Sequence, residues 1–187
     1  MRHGARSLTL DEILSLLERG ADVALVPVLS VSQLDHALQT AALVATAHPG
    51  EVELAAAGLV HDIGHLLPGI VDEAHARAGA DAVRSALGKR VATLVALHVE
   101  AKRYLVTSDP GYAEGLAADS VGSLAHQGGV LSPALVASFR AHPLSDAAIA
   151  LRRADDRAKV VGAVVEDLDH WVPLLRMLSD AGDVSGA

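Results

Sequence analysis

The chain has 187 residues, of which 51% are hydrophobic, and a formal net charge of −8 with its ten histidines counted as neutral. This balance excludes an intrinsically disordered chain and argues against a nucleic-acid partner, which usually requires a basic face. The absence of cysteine excludes disulfides and thiolate ligands, so a metal ion could be held only by histidine and carboxylate.

Length predicts a single domain over residues 1–187. No stretch approaches the roughly 18 apolar residues of a membrane span. The first ten residues mix Arg2, His3, Arg6 and Ser7, so they lack the apolar centre of a signal peptide. We therefore expect a cytoplasmic protein with no membrane partner, whose oligomeric state the sequence does not indicate.

Alanine and leucine dominate the apolar residues, and because both favour helices we predict an all-α fold. Thr9 followed by Glu12 has the pattern of a helical capping box, and this first helix ends near Gly20. Proline and glycine then divide the chain into further helix-sized segments. These segments are residues 32–47, 52–66, 72–87, 89–106, 113–127, 133–141, 145–166 and 169–181.

The adjacent pair His61-Asp62 lies in a segment that otherwise consists of leucine, alanine, valine and isoleucine. Burying an ionised carboxylate there costs several kcal/mol unless something compensates the charge. A metal ion does so, because it favours deprotonated aspartate and neutral histidine. The alternative is a hydrogen-bonded pair in the core without a metal.

Two further residues on predicted helices, His36 and Asp155, could complete a ligand set with this pair. The alternative for Asp155 is a surface carboxylate beside Asp156 and Arg157. In order and spacing the four residues resemble the motif of the HD-domain superfamily, and the resemblance covers most of the chain. It implies an all-α helical bundle with a buried metal site, whose core would span about residues 32–160 and whose last helix would span about 169–181.

His75 and His98 decide how many metals the site could hold. We assign His36, His61, Asp62 and Asp155 to one metal, with Asp62 bridging to a second metal held by His75 and His98. This ligand set suits iron or manganese, and it does not exclude other divalent ions. The alternatives are an exposed histidine near a helix start for His75, and a core histidine on an apolar face for His98.

Three basic residues lie at helical spacing from these candidate ligands, namely His65 after His61, Lys102 after His98, and Arg152 before Asp155. Their convergence in an acidic protein predicts a pocket for a small anion, in which Arg152 could contact phosphoryl oxygens in a bidentate manner. The alternative is that Lys102 and Arg152 extend from buried faces or pair with nearby carboxylates.

A longer set of stretches resembles the HD-domain oxygenases that cleave organophosphonates at a mixed-valence di-iron centre, and more distantly myo-inositol oxygenase. They are Asp35–Ala41, His61–His65, His75 with Gly79–Ala80, His98–Leu105, Ser123–Leu124 with Gln127–Gly129, and Leu151–Lys159. The resemblance implies that the six ligands hold an Fe(II)/Fe(III) pair and that O2 is a co-substrate. It also implies that the phosphonate is held by His65, Lys102, Ser120 or its neighbour Ser123, and Arg152, with His65 and Lys102 at the reacting centre.

The loop before His36 departs from this family. Phosphonate-cleaving relatives carry a Tyr-x-Gly-Glu pattern there, in which the tyrosine helps to close the iron site and the glutamate meets the ammonium group of the substrate. Here Val26 and Leu29 occupy those positions. We therefore expect a substrate that differs at the end remote from its phosphonate.

Two other functions fit parts of the same pattern. A metal-dependent phosphohydrolase acting on a phosphate ester or nucleotide would use the same six ligands, whereas the Gln127–Gly129 stretch favours the oxygenase. A regulatory module with a non-catalytic site is the second alternative, and six intact ligands argue against it.

Overall fold

The computed structural model describes residues 6–25, 30–116 and 118–184. Their secondary structure confirms the prediction of an all-α fold. The β-pairing in these ranges is limited to one isolated antiparallel bridge between Ala24 and Ser32. The helices are α1 Leu10–Arg19, α2 Gln33–Ala47, α3 Val52–Val60, α4 His75–Ser108, α5 Pro110–Glu114, α6 Ala118–His126, α7 Pro133–Ala141, α8 Ser145–Arg157 and α9 Leu168–Val184.

Side-chain caps fix the first two helices where the sequence predicts them. Thr9 and Glu12 form a reciprocal capping box at the start of α1, and Ser32 and Asp35 form another at the start of α2. Each box satisfies backbone N–H groups that have no partner within the helix. Helix α2 therefore begins at a defined residue, which sets where His36 lies along it.

Helix α3 forms the centre of the molecule and contacts α2, α4, α8 and α9. It is apolar on every side, and its residues Leu54–Val60 are all buried, as expected of a helix surrounded by others. These helices and α1 contribute large side chains to the same core, including Ile13, Leu38, Leu87, Leu94, Leu151 and Leu175.

The prediction that the third helix continues to Leu66 is wrong. Helix α3 ends at Val60, Asp62 leaves helical geometry with φ −100° and ψ 8°, and a 3₁₀ turn follows over Ile63–Leu66. The turn reverses the chain and brings its backbone against the start of α4. Asp62 therefore lies at the end of a helix and not in its interior. At this position its carboxylate can face two groups of side chains.

The predicted boundary at Gly88 is confirmed, because α4 is interrupted there by a residue with φ 84° and ψ 171°. A positive φ of this size is accessible to glycine and strained for other residues. The segment before the break carries His75 and the segment after it carries His98. The predicted helix start at Asp72 is three residues early, since Asp72–Ala74 form a 3₁₀ turn.

Two other predicted helices differ in extent. Residues 113–127 were predicted as one helix, but α5 begins earlier at Pro110, capped by Asp109, and α6 is separate. The helix predicted over 145–166 ends at Arg157. Beyond it, the backbone hydrogen bonds to α2, with the Ala158 carbonyl accepting from His36 and both polar groups of Val160 bonded to Gln39.

No helix among the described residues is long and apolar enough to cross a membrane.

Gly64 lies against the backbone at the start of α4. A Cβ atom built on Gly64 would overlap the carbonyl oxygen of His75 and lie 2.6 Å from its carbonyl carbon. Real Cβ atoms do not approach backbone so closely. A side chain at this position would push apart the two segments that carry Asp62 and His75.

We predict that Gly64→Ala lowers the free energy of unfolding by about 1–3 kcal/mol, because relieving the overlap forces a backbone shift. Gly122→Ala is the matched control, since a Cβ there meets nothing within 4 Å and Gly122 lies within α6. Urea denaturation of both variants measures the difference, and equal stability of the two would contradict the close approach.

Candidate metal centre and anion cavity

The Asp62 carboxylate lies between two pairs of histidines. Its Oδ2 atom is 3.7 Å from His36 Nε2 and 3.5 Å from His61 Nε2. Its Oδ1 atom is 3.5 Å from the Nε2 atoms of both His75 and His98. Each carboxylate oxygen therefore faces its own pair of ring nitrogens, the arrangement of a bridging ligand.

Asp155 from α8 completes the first group. Its Oδ1 atom lies 3.3 Å from His36 Nε2 and 3.9 Å from His61 Nε2, and the two ring nitrogens are 3.1 Å apart. Four donor atoms from α2, the end of α3, the turn after it and α8 thus surround one point. All four residues were predicted as ligands of one ion.

His75 and His98 form the second group with Asp62. Their Nε2 atoms are 3.0 Å apart. Both imidazoles are 2% exposed, so water cannot surround either ring. The structure therefore brings together all six residues that the sequence predicts as ligands, in the two predicted groups.

The backbone sets the tautomer of all four histidines. Each imidazole has its Nδ1 atom within hydrogen-bonding distance of a carbonyl oxygen, which can only accept. The carbonyls are those of Ala158 for His36, Gly58 for His61, Asp72 for His75 and Val95 for His98. In a neutral imidazole that donates from Nδ1, Nε2 carries a lone pair.

Pairs of Nε2 lone pairs 3.0–3.1 Å apart cannot hydrogen-bond to each other. A cation between them would satisfy both, and carbonyl-oriented histidines are the usual arrangement around bound metals. The donor set of four imidazoles and two carboxylates therefore fits two divalent cations.

The two carboxylates are ionised despite their burial. Burial alone raises the pKa of Asp62, but His61, His65, His75 and His98 outweigh it and hold that pKa below its usual range. Burial also raises the pKa of Asp155, and the Arg152 guanidinium more than compensates. Both residues are thus in the form that binds metal.

His36 and His98 respond to burial differently. Burial holds the pKa of His98 well below its usual value, so this imidazole is neutral. Burial also lowers the pKa of His36, but the hydrogen bond with Asp155 outweighs it and the net pKa is raised. A cation in the first group therefore competes with a proton for His36, which weakens its binding at low pH.

A cavity of about 170 Å³ opens from this cluster. Five of the six candidate ligands line it, together with all five predicted substrate-binding residues. The lining residues include His36, Asp62, His75, His98 and Asp155 as candidate ligands, and His65, Lys102, Ser120, Ser123 and Arg152 beside them. Its volume is well below the roughly 300–1,000 Å³ of pockets for drug-sized ligands.

Lys102 is the buried cation of α4, with 2% of its surface exposed. Its Nζ atom donates to Ser123 Oγ at 2.8 Å. Burial, reinforced by the charge of Arg152, lowers the pKa of Lys102 to about 8. The ammonium group is therefore charged at neutral pH and is close to losing its proton.

Arg152 is equally buried, and most of its N–H groups are already engaged. It donates from Nη1 to Asp155 Oδ2 at 2.6 Å, from Nη2 to Ser120 Oγ at 3.3 Å and to Asp156, and from Nε to Tyr112 at 3.0 Å. Arg152 thus joins a candidate metal ligand to the serine of the cavity wall, while its pairing with carboxylates leaves few donors for a ligand.

His65 lies at the mouth of the cavity, where its ring stacks on His75 with 4.0 Å between centroids. Its Nε2 atom is 4.0 Å from Asp62 Oδ1 and 3.8 Å from Asp72 Oδ1. Burial lowers the pKa of His65, which favours a neutral ring that can exchange a hydrogen bond with a ligand.

Several residues that the sequence analysis did not assign to the site belong to it or to its surroundings. Asp72 and Lys159 line the cavity, and Lys159 Nζ lies 3.3 Å from Ser120 Oγ. Tyr112 contacts Arg152 from α5. Gln127 also lines the cavity. Asp72 and Lys159 could have been found, because they stand at helical spacing from His75 and Asp155, whereas nothing local indicates Tyr112.

Gln127 is followed by two glycines that determine the path of the backbone after it. Gly128 and Gly129 both adopt positive φ, and their carbonyls accept hydrogen bonds from Arg103 at 2.9 and 2.8 Å. The Gln127 amide thereby reaches Asp72, with 3.2 Å between Nε2 and Oδ2. The departure from the family pattern at Val26 and Leu29 falls outside the described residues.

Comparison with known proteins places this geometry in a family. Residues 34–159 match the family "HD domain". The chain is 41% identical over 151 residues to hydroxymethylphosphonate dioxygenase of Gimesia maris, covering 76% of this chain and 75% of that protein. It is 30% identical over 158 residues to [1-hydroxy-2-(trimethylamino)ethyl]phosphonate dioxygenase (glycine-betaine-forming) of Leisingera caerulea, covering 80% of each. The chain belongs to the HD-domain family.

Proposed function

We propose that this protein is a di-iron oxygenase that uses O2 to cleave the carbon–phosphorus bond of a small 1-hydroxyalkylphosphonate. The observation that carries the proposal is the Asp62 carboxylate bridging two histidine groups beside a small cavity with buried cations. Both named relatives are dioxygenases of phosphonates with a hydroxyl on the carbon that bears phosphorus.

Six residues would hold two metal ions, with Asp62 between the other members of the set. His36, His61 and Asp155 would hold one ion, His75 and His98 the other, and Asp62 both. Iron is proposed because O2 is the oxidant, although imidazole and carboxylate ligands also suit manganese and other divalent ions. When bound, the metal pair would supply the redox chemistry with O2 and a Lewis acid for the substrate oxygens.

The chain's own contribution would be to bind and orient the anion. Lys102 supplies a point charge, Ser120 and Ser123 supply hydroxyls, and Arg152 supplies charge and any N–H group that remains. His65 would contact the substrate from the cavity mouth. Fixing the phosphonate against these groups holds its neighbouring C–H bond in one orientation, which is how positioning accelerates a reaction.

The overall reaction balances with O2 as the only oxidant. A 1-hydroxyalkylphosphonate dianion and O2 would give a carboxylate, hydrogen phosphate and one proton. The C–P bond and the adjacent C–H bond break, the carbon reaches the oxidation state of a carboxylate, and O2 is fully reduced. The product of the Leisingera caerulea relative, glycine betaine, is a carboxylate of this kind.

The small volume of the cavity favours a compact substrate. Leu25 and Val99 form part of its wall, and neither offers a counter-ion for an ammonium group. The replacement of the family's glutamate by Leu29 removes another such counter-ion. Hydroxymethylphosphonate, the smallest member of the class, is therefore the proposed test substrate.

The function is tested by reconstituting metal-free protein with Fe(II) and adding hydroxymethylphosphonate. We expect O2 uptake, phosphate and formate in equal amounts, and an EPR signal of a mixed-valence pair that shifts on adding substrate. Oxygen-independent phosphate release from phosphate esters, by protein containing only Mn or Mg, would instead identify a phosphohydrolase and contradict the proposal.

The ligand assignment predicts distinct metal contents for single variants. His75→Ala and His98→Ala should each lose one metal equivalent per chain, because Asp62 and a single histidine are too few ligands to hold the second ion. Asp62→Ala should lose metal at both positions. His126→Ala is the control, since this side chain is 71% exposed. Elemental analysis of folded variants measures the content, and two equivalents retained in all three would contradict the assignment.

The lowered pKa of Lys102 predicts a pH dependence. The ammonium group is charged below about 8 and neutral above it, so attraction for the phosphonate is lost as pH rises through that value. We expect kcat/KM, which reports on the free enzyme, to fall above pH about 8. In Lys102→Arg, the guanidinium stays charged and the alkaline fall should move upward. A fall that remains in place would exclude Lys102 as its source.

A further inference from the structure

Two consecutive carboxylates both accept hydrogen bonds from the buried Arg152 guanidinium. Arg152 donates from Nη1 to Asp155 Oδ2 and from Nη2 to Asp156 Oδ1. Asp155 is a proposed metal ligand, whereas Asp156 is not. The orientation of Arg152 therefore decides how firmly the Asp155 carboxylate is held.

Tyr112 occupies the third side of this group. Its hydroxyl accepts a hydrogen bond from Arg152 Nε at 3.0 Å and donates one to Asp156 Oδ2 at 2.5 Å. Arg152, Asp156 and Tyr112 thus form a closed ring of hydrogen bonds. The tyrosine satisfies one oxygen of Asp156 and one nitrogen of Arg152, which leaves Nη1 directed at Asp155.

The position of Tyr112 is itself fixed by the fold. It lies on the five-residue helix α5, and its backbone N–H donates to the capping carboxylate of Asp109, with 3.2 Å between nitrogen and Oδ1. The other oxygen of Asp109 accepts from Arg153 of α8 at 3.2 Å. Helix α5 is thus joined to α8 by contacts on both sides of Arg152.

The Tyr112 hydroxyl keeps its proton over the usual pH range, because burial raises the pKa of the phenol. The hydroxyl therefore remains a donor to Asp156 over that range.

We propose that Tyr112 is a positioning residue, which holds Arg152 so that Asp155 presents a single oxygen to the first metal position. With Asp155 Oδ2 bonded to Arg152, only Oδ1 faces His36 and His61. Without the hydroxyl, both Arg152 Nε and Asp156 Oδ2 lose a buried partner, and Arg152 turns towards Asp156. This inference rests on the proposed metal pair.

Tyr112→Phe tests the inference, and Tyr104→Phe is its matched control. The chain has two tyrosines, and the Tyr104 ring stacks on Phe139, with 4.9 Å between centroids. Metal-free protein would be titrated anaerobically with Mn(II), which binds imidazole and carboxylate and avoids oxidation during the measurement. KM and kcat for hydroxymethylphosphonate would be measured on the iron-loaded proteins.

We expect Tyr112→Phe to weaken one of two Mn(II) sites by about 10-fold, the lower end of the effect of losing a direct partner of a metal ligand, because Tyr112 acts on Asp155 through Arg152. KM should rise several-fold, while kcat of the metal-saturated enzyme changes less. Tyr104→Phe should match the wild type. The double variant Tyr112→Phe with Asp156→Asn should recover part of the lost affinity, because the neutral amide no longer draws Arg152 away from Asp155.

Other outcomes separate the possibilities. If Tyr112→Phe is folded and binds both ions as the wild type does, the inference is overturned. Equal weakening of both sites, with a lower unfolding temperature and no recovery in the double variant, would assign Tyr112 to stability alone and overturn it too. A wild-type protein that binds fewer than two ions would instead contradict the proposed metal pair.

Discussion

One carboxylate, that of Asp62, is the constraint on which the rest of the structure depends. It lies within 3.5–3.7 Å of four imidazole nitrogens, which come from α2, the end of α3 and the two segments of α4. Burying this carboxylate costs free energy unless its charge is balanced. Four backbone carbonyl groups fix the orientation of the imidazoles around it. Three features of the fold support this orientation. The end of α3 and the early end of α8 supply or free two of those carbonyls, and the turn at Gly64 allows α4 to approach closely.

The metal centre and the anion cavity are one electrostatic unit. Arg152 balances Asp155 on one side and contacts the serine of the cavity wall on the other, while Lys102 reaches the cavity from the helix that carries His98. In a chain with net charge −8, the buried cations are held by local carboxylates and hydroxyls, not by the overall field. A small anion that entered would meet the charges of Lys102 and Arg152 beside the candidate metal ligands, which favours binding at one place and in one orientation.

The sequence was sufficient for the helical fold and for the six residues that the structure brings together in two groups. The fold prediction rests on alanine and leucine content with proline and glycine breaks, and the groups rest on histidine and aspartate in the order of a family motif. It was insufficient where backbone and distant contacts decide. Asp62 was expected inside a helix, but Gly64 permits a turn that no local preference announces. The helix after Ser145 was expected to continue, yet it ends at Arg157, and the carbonyls of Ala158 and Val160 beyond it accept from His36 and Gln39. Tyr112 was not found because its partners, Arg152 and Asp156, are far along the chain.

The central claim is that Asp62 bridges two metal ions through its separate oxygens. The most direct measurement is anomalous X-ray scattering at the iron edge from crystals of Fe(II)-loaded protein. The account predicts two peaks about 3.5–4 Å apart, one among His36, His61 and Asp155, the other beside His75 and His98, with every histidine bound through Nε2. A single peak, or binding through any Nδ1 atom, would contradict it.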